Sequence, residues 1–109
     1  MITSSLKKKE NMYYEGIGRR KEALARVRVT FGKKLLITIN DRSYKDFFNT
    51  EDLRHTVTDP LVVTKIPDAE ITVKVKGGGI RAQAEAVRLG IARALIKNDP
   101  SLRSILKPI

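Results

Sequence analysis

The feature that most constrains the fold is a change of apolar period between residues 70 and 99. Residues 71–75 alternate strictly between apolar and polar side chains, which predicts a half-buried strand. Three glycines at positions 77–79 then allow the backbone to turn sharply, or another molecule to approach it closely. From Ile80 the apolar residues follow a helical period, and no proline interrupts the run before Pro100. The stretch therefore predicts a strand, a glycine turn and a helix long enough to cross a small domain.

The predicted long helix has a narrow apolar stripe that would face the core. The stripe consists of Ile80, Ala84, Val87, Ile91 and Leu95. Leu89 and Ile96 point away from it. We expect a last short helix over residues 101–106, begun by Asp99 and Pro100, to cover these two side chains.

A second predicted strand precedes this stretch. Its apolar face contains Ala25, Val27, Val29 and Phe31, and its other face is largely basic because it carries Arg26 and Arg28. Before it, the glycines of residues 13–21 exclude a helix, and three cations follow them. After it, residues 32–34 predict a hairpin turn into a short strand over residues 35–39.

The middle of the chain predicts short helices separated by turns. Ser43 can cap one that buries Phe47 and Phe48, and Thr50 can cap another over residues 51–58. We expect Asp59 and Pro60 to end that helix. We expect residues 61–64 to form a strand and residues 65–69 to form the turn that leads into the strand before the three glycines.

The charge of the chain is large and unevenly distributed. The net charge is +10. Residues 1–34 carry ten lysines and arginines against three acids, residues 35–72 carry four against seven, and residues 73–109 carry eight against two. Such segregation predicts one face turned towards a polyanion and another turned away from it. Nucleic acid fits better than a membrane surface, because no amphipathic helix with aromatic anchors is present in the sequence.

The composition argues against an enzyme. The 109 residues contain no cysteine, which excludes a disulfide framework and thiolate metal sites. His55 is the single histidine, and the acids are spread along the acidic middle of the chain, where they mark helix starts and turns, so we expect no catalytic group, metal or cofactor. We expect a flexible basic extension over residues 1–12 and one domain over residues 13–109.

The glycine turn leaves two interpretations open. A strand, a glycine turn and a helix start bring free backbone N–H groups together, and the neighbouring Lys74, Lys76, Arg81 and Arg88 are cationic, which suits a phosphate. The same residues also describe a tight turn with a solvated basic flank.

Two motifs resemble one known family. The run GGGIRAQAEAVRLGIARAL is similar to the signature of the ninth protein of the small ribosomal subunit, and GIGRRKEALARVRV resembles the opening of the same family. The resemblance covers residues 13–107.

An α+β fold, a two-layer mixed sheet with helices on one face, is what we expect of this chain. The resemblance further implies a topology of the ribosomal S5 second-domain type with a left-handed crossover. It implies a structural constituent of the small ribosomal subunit that supports translation. The protein would bind ribosomal RNA in the subunit head, near peptidyl-site transfer RNA and neighbouring ribosomal proteins. The expected location is the cytoplasm, with an organellar ribosome left open.

The basic residues and the two motifs together predict a set of residues that contact ribosomal RNA. The set is Tyr14, Gly16, Gly18, Arg19, Arg20, Lys21, Arg26, Arg28, Lys74, Lys76, Gly77, Gly78, Gly79, Arg81, Gln83, Arg88 and Arg93.

The sequence departs from the family pattern at three places. Lys76 stands where bacterial members often have histidine, and Ala82 stands where many have glycine. The sequence stops at Ile109, whereas the family continues with a basic tail that reaches transfer RNA, so we expect no residue here to inherit that contact. Two other functions stay open: a free RNA-binding regulator, and a phosphate-loop enzyme that uses residues 77–79. The enzyme would need acids beside the loop, and Glu85 is the only acid within the helix.

Overall fold

The computed structural model describes residues 13–32, 34–66 and 68–106, so the predicted extension over residues 1–12 lies outside it. The strands are β1 (Tyr14–Arg20), β2 (Ala23–Thr30), β3 (Leu36–Ile39), β4 (Arg42–Ser43) and β5 (Glu70–Lys76). The helices are α1 (Tyr44–Phe47), α2 (Glu51–Val63), α3 (Ile80–Asn98) and α4 (Arg103–Leu106), and a 3₁₀ turn (Pro100–Leu102) leads into α4.

The five strands form one mixed sheet in the order β1-β2-β5-β3-β4. The pairs β1–β2, β2–β5 and β3–β4 are antiparallel, and β3 runs parallel to β5. The connection between the two parallel strands passes through β4, α1 and α2. Helix α3 packs across β1 and β2, and α2 packs beside α3. This architecture confirms the expected α+β fold and is consistent with a topology of the ribosomal S5 second-domain type.

The core lies between the sheet and the two longer helices. Alternate residues of β2 and β5 are buried, as their apolar period predicts. They meet side chains such as Val87 and Ile91 of α3, which are fully buried. Phe48 and Val57 extend the same core beneath α2. Each fully buried side chain of this size stabilises the fold by about 1.5–3 kcal/mol relative to an exposed one.

The contact between β1 and α3 is made by backbone rather than by side chains. Gly16 and Gly18 occupy the buried positions of β1. A Cβ atom on Gly18 would overlap the carbonyl oxygen of Ala86, and one on Gly16 would overlap that of Gly90. A Cβ atom on Gly90 would in turn lie 2.6 Å from a methyl group of Val27. Because these positions lack side chains, the helix can rest directly on the strand.

The structure differs from two expectations at β1 and at the connection between β2 and β3. Residues 14–20 form a strand that the sequence analysis did not predict, because its buried positions are glycines and carry no apolar signal. The predicted hairpin at residues 32–34 is wrong, since β5 lies between β2 and β3. The chain instead crosses the end of β5, where the Leu36 N–H donates to the carbonyl of Ala69 at 3.0 Å.

Helix α2 is longer than the sequence predicts. It continues through Pro60 to Val63, so the expected end at residues 59–60 and the expected strand over residues 61–64 are wrong. Leu53, Val57, Pro60 and Leu61 are all buried on one side of the helix. This burial outweighs the hydrogen bond that proline cannot donate inside a helix.

The capping predictions are confirmed. The hydroxyl of Ser43 accepts from the Lys45 N–H at 3.3 Å, and that of Thr50 accepts from the Leu53 N–H at 3.3 Å. The carboxylate of Asp99 accepts from the Ser101 N–H at 3.1 Å, at the start of the last short helical segment.

Two expected core residues lie at the surface. Ile80 is 48% exposed because it is the first residue of α3, and Phe31 is 40% exposed because it follows the end of β2. Three buried residues of α3 that the predicted stripe omits, Ala86, Gly90 and Ala94, are small and lie against Gly16 and Gly18 of β1. The expected cover of α3 is partial: Leu106 is buried, and a groove lined by Leu89 and Ile96 stays open beside it.

We expect Gly18→Ala to destabilise the domain severely. Its new methyl group would overlap the backbone of α3, which can move only by lifting the helix from the sheet. The expected loss is about 3 kcal/mol, at the upper end for overpacking, which lowers the Tm of a domain this small by more than about 10 °C. Thermal melts followed by circular dichroism measure it.

Gly79→Ser is the matched control. A Cβ atom there meets nothing within 4 Å, and the residue is the N-cap of α3 with extended backbone angles. Serine suits that position, so its Tm should be unchanged or slightly higher. Equal stability of the two variants would contradict the packing described for β1.

Candidate nucleic-acid interface

The face of the sheet opposite α3 is exposed and basic. Arg26 and Arg28 of β2 and Lys74 and Lys76 of β5 alternate with buried core residues, so all four project to this side. We call these four residues the basic face. Together with Leu24, Asn40, Thr72 and Val75 they line a shallow groove of about 700 Å³.

The sheet register places cations directly beside one another on the basic face. Arg26 of β2 is paired with Lys74 of β5, and the next pair on this side joins Leu24 to Lys76. Side chains paired across antiparallel strands lie about 4.5–5.5 Å apart at Cβ, and like charges at that separation destabilise the sheet. An anion bound between them would remove this repulsion.

One carboxylate already lies on this side of the sheet. Oε2 of Glu15 in β1 is 3.1 Å from Nη2 of Arg26 and 3.5 Å from Nε of Arg28. The hydrogen bond from Arg26 is the largest cause that holds the pKa of Glu15 below its usual value, and the charge of Arg26 and the contact with Arg28 act in the same direction. The guanidinium of Arg28 also stacks over Tyr13, 4.8 Å from the ring centroid.

The glycine turn between β5 and α3 packs against the β1–β2 hairpin. Gly77 and Gly78 have φ angles of +78° and +69°, which disfavour residues with a side chain. A Cβ atom on Gly77 would overlap the carbonyl oxygen of Glu22, and one on Gly78 would lie 3.0 Å from the Ala23 nitrogen. The side-chain amide of Gln83 donates to the carbonyl of Gly77 at 3.2 Å. The hairpin contact therefore accounts for the first two glycines, and Gln83 supports the turn through its hydrogen bond to Gly77.

Several predicted RNA-contacting arginines are engaged within the protein. Nε of Arg20 lies 2.7 Å from Oε1 of Glu85. Nη2 of Arg81 lies 2.8 Å from Oδ2 of Asp52, and this hydrogen bond raises the pKa of Arg81. Nη1 of Arg93 donates to the carbonyl oxygen of Ile17 in β1 at 2.8 Å. These three side chains therefore connect α3 to other elements, in addition to any contact with RNA.

The remaining predicted residues lie in different environments. Arg19 and Lys21 are exposed at the β1–β2 hairpin, Gly79 is exposed at the start of α3, and Tyr14 is half-buried with its ring 6.0 Å from that of Phe31. Nε of Arg88 is buried and has no hydrogen-bond partner among the described residues.

Gly16 and Gly18 are buried against α3 and have a packing role. Their predicted contact with RNA, and that of the other residues of the set, stays a prediction.

The carboxylates of this region were missed by the sequence analysis. Glu15, Asp52 and Glu85 each contact an arginine that is at least eleven positions away in the chain. The position of Glu15 follows only once β1 and its pairing with β2 are known, because the register places Glu15 opposite Arg28. Within residues 13–32, 34–66 and 68–106, no three acids or histidines are grouped closely enough to hold a metal ion. No described helix is long and apolar enough to span a membrane.

Fold and surface together define a small α+β domain with one face covered by helices and one open basic face. The chain belongs to the ribosomal protein S9/S16 family, whose model matches residues 18–108. A curated relative, the small ribosomal subunit protein uS9 of Desulfovibrio desulfuricans, is 47% identical over 93 residues. That match covers 84% of this chain and 71% of the relative. The family predicted from the two motifs is confirmed.

We expect the pKa of Glu15 to lie below its usual value, chiefly because its ionised carboxylate accepts a hydrogen bond from Arg26. Since the folded-state pKa is lowered, the stabilisation is present above the unfolded-state pKa and is lost as pH falls through the folded-state pKa. Nuclear magnetic resonance titration of the side-chain carboxyl carbon measures it.

The matched variants are Arg26→Gln and Arg81→Gln. The first removes the largest cause of the shift and should return the pKa of Glu15 towards its usual value. The second breaks the pair with Asp52 and should leave Glu15 unchanged. An ordinary pKa for Glu15 in the unmodified protein would contradict the contact geometry.

Proposed function

We propose that this chain is a structural protein of the small ribosomal subunit and that its basic face binds ribosomal RNA. The observation that carries the proposal is the pairing of Arg26 with Lys74 on an exposed sheet face, in a chain that belongs to a ribosomal protein family. The name of the relative from Desulfovibrio desulfuricans supports the choice of subunit.

The chemistry of the basic face suits an RNA backbone. Its four cations lie on two neighbouring strands, and the groove between them is open rather than enclosed. Phosphate groups would neutralise the cross-strand repulsion that the free protein retains. We expect recognition through shape and backbone contacts, because an open sheet face lacks a pocket that would enclose a base.

The family resemblance supports a position for the protein within the subunit. We propose that the domain lies in the head, near peptidyl-site transfer RNA, and acts in the cytoplasm. Away from the basic face, Leu35, Val62 and Ile66 line a small apolar depression, and Val62 is 67% exposed. This depression supports contact with a neighbouring protein of the head. The role is one of binding and needs no catalytic group.

The two lysines of the basic face should contribute directly to the affinity for RNA. Lys74→Gln/Lys76→Gln should bind a transcript of the head domain of bacterial small-subunit RNA more weakly. The slope of log affinity against log salt should fall by about 0.7–0.9 for each phosphate that the variant no longer neutralises. Filter binding over a range of potassium chloride concentrations measures both quantities.

Lys45→Gln/Lys97→Gln is the matched control. It removes the same charge from two exposed lysines on α1 and α3, outside the basic face. Its affinity should change only slightly, through the net charge. An equal loss of affinity in the two double variants would show that binding depends on net charge and not on this face.

The proposed function also implies assembly of the protein into the small subunit. The protein should sediment with small subunits when ribosomes are dissociated at low magnesium concentration and separated on a sucrose gradient. It should stay there in moderate salt, because a structural constituent is held by many contacts. Immunoblotting of the fractions detects it. Recovery only at the top of the gradient would favour a free RNA-binding regulator instead.

A further inference from the structure

Glu15 is the acid that contacts the basic face. Oε2 of its carboxylate receives hydrogen bonds from both Arg26 and Arg28, while Oε1 takes part in neither bond. The side chain is 31% exposed, and those of the two arginines are 57% and 53% exposed. The group is therefore reachable by a molecule bound on this face.

The register explains why this carboxylate affects both arginines. Glu15 is directly paired with Arg28, and the neighbouring pair on the same side joins Ile17 to Arg26. Glu15 thus reaches Arg28 straight across the strand pair and Arg26 diagonally. The guanidinium of Arg28 also makes a cation–π contact with Tyr13, and its Cζ atom lies 4.8 Å from the centroid of the tyrosine ring. Each of the two guanidinium groups therefore already has a partner within the protein, which a phosphate would have to share or displace.

A carboxylate in this position has two effects on a bound RNA. It repels a phosphate that approaches Arg26 or Arg28 from the side of β1, because like charges repel at short range. It attracts a hydrogen-bond donor, because Oε1 can accept one; a base amino group or a ribose hydroxyl offers such a donor. An RNA whose phosphate backbone runs past Glu15 is repelled by the carboxylate. An RNA that places a hydrogen-bond donor beside Oε1 of Glu15 avoids this repulsion.

We propose that Glu15 is a specificity-determining residue of the basic face: it positions Arg26 and Arg28, disfavours indiscriminate backbone binding, and accepts a donor group from the correct RNA. This inference rests on the proposed function and deepens it. Lys74 and Lys76 provide the general affinity, and the cluster of Glu15 with the two arginines provides the selectivity.

The experiment compares the unmodified protein with Glu15→Gln on two RNAs. One is the head-domain transcript of bacterial small-subunit RNA, and the other is an RNA duplex of unrelated sequence. Glutamine keeps the size of the side chain and an acceptor oxygen but removes the charge. Affinity for the duplex should rise by roughly threefold to tenfold, as expected for removing one like charge near a phosphate. The salt slope on the duplex should steepen by about 0.7–0.9 for each further phosphate that the released arginines neutralise.

Glu70→Gln is the matched control. Glu70 lies on the same exposed side of β5, opposite Thr30 and Leu36 and beyond the basic face, so the variant changes the net charge equally. Glu70→Gln should leave unchanged the ratio of the affinity for the head-domain transcript to the affinity for the duplex. Glu15→Gln should reduce that ratio. Melting curves of the two variants, both of which should be fully folded at the temperature of the binding assay, separate recognition from folding.

Each outcome decides one claim. If the unmodified protein does not prefer the head-domain transcript, the proposed function fails. If it has that preference and Glu15→Gln keeps the same ratio and salt slope, the function stands and the role of Glu15 is overturned. If Glu15→Gln weakens binding to both RNAs equally, Glu15 only positions the arginines, which also overturns its role in selectivity.

Discussion

The close approach of α3 to β1 determines the rest of the structure. Gly16 and Gly18 allow the helix to rest on the strand backbone, and Gly90 allows the strand pair to rest on the helix. A helix seated this closely buries Gly16 and Gly18 on one face of β1, and the alternate residues, including Glu15, lie on the other face. The same contact is reinforced at the exposed edge of β1, where Arg93 donates to the Ile17 carbonyl. The packing of α3 on Gly16 and Gly18 thus determines which side chains of β1 lie on the exposed side of the sheet.

The arginines fall into two groups, those paired with acids of other elements and those on the basic face. Those near α3, such as Arg20 and Arg81, form ion pairs with Glu85 and Asp52 and connect elements of the fold. Such exposed pairs contribute little to stability, with a median of about 0–1 kcal/mol. Arg26 faces Lys74 across the strands and has only Glu15 as a counter-charge among the described residues. The fold tolerates this repulsion in the free protein, and a polyanion would relieve it.

How much the sequence predicts depends on whether the signal is local. The alternating residues of β5 and the helical period from 80 onwards predict their elements, and the caps at Ser43 and Thr50 lie where the sequence places them. Strand β1 was missed because a glycine in a core position looks like a loop residue. The false hairpin at residues 32–34 arose because a turn signal cannot show which strands pair. The ion pairs of the basic region join distant residues, so no local pattern reveals them; the interface prediction therefore identified the cations but not their partners.

The central proposal is that RNA binds the basic face. Lysine acylation with and without the head-domain transcript tests it most directly, with each lysine quantified by mass spectrometry. Lys74 and Lys76 lie on the sheet face, while Lys45 and Lys97 are exposed on α1 and α3. The account predicts that bound RNA protects Lys74 and Lys76 and leaves Lys45 and Lys97 as reactive as in the free protein. Protection of Lys45 and Lys97 with full reactivity at Lys74 and Lys76 would contradict it.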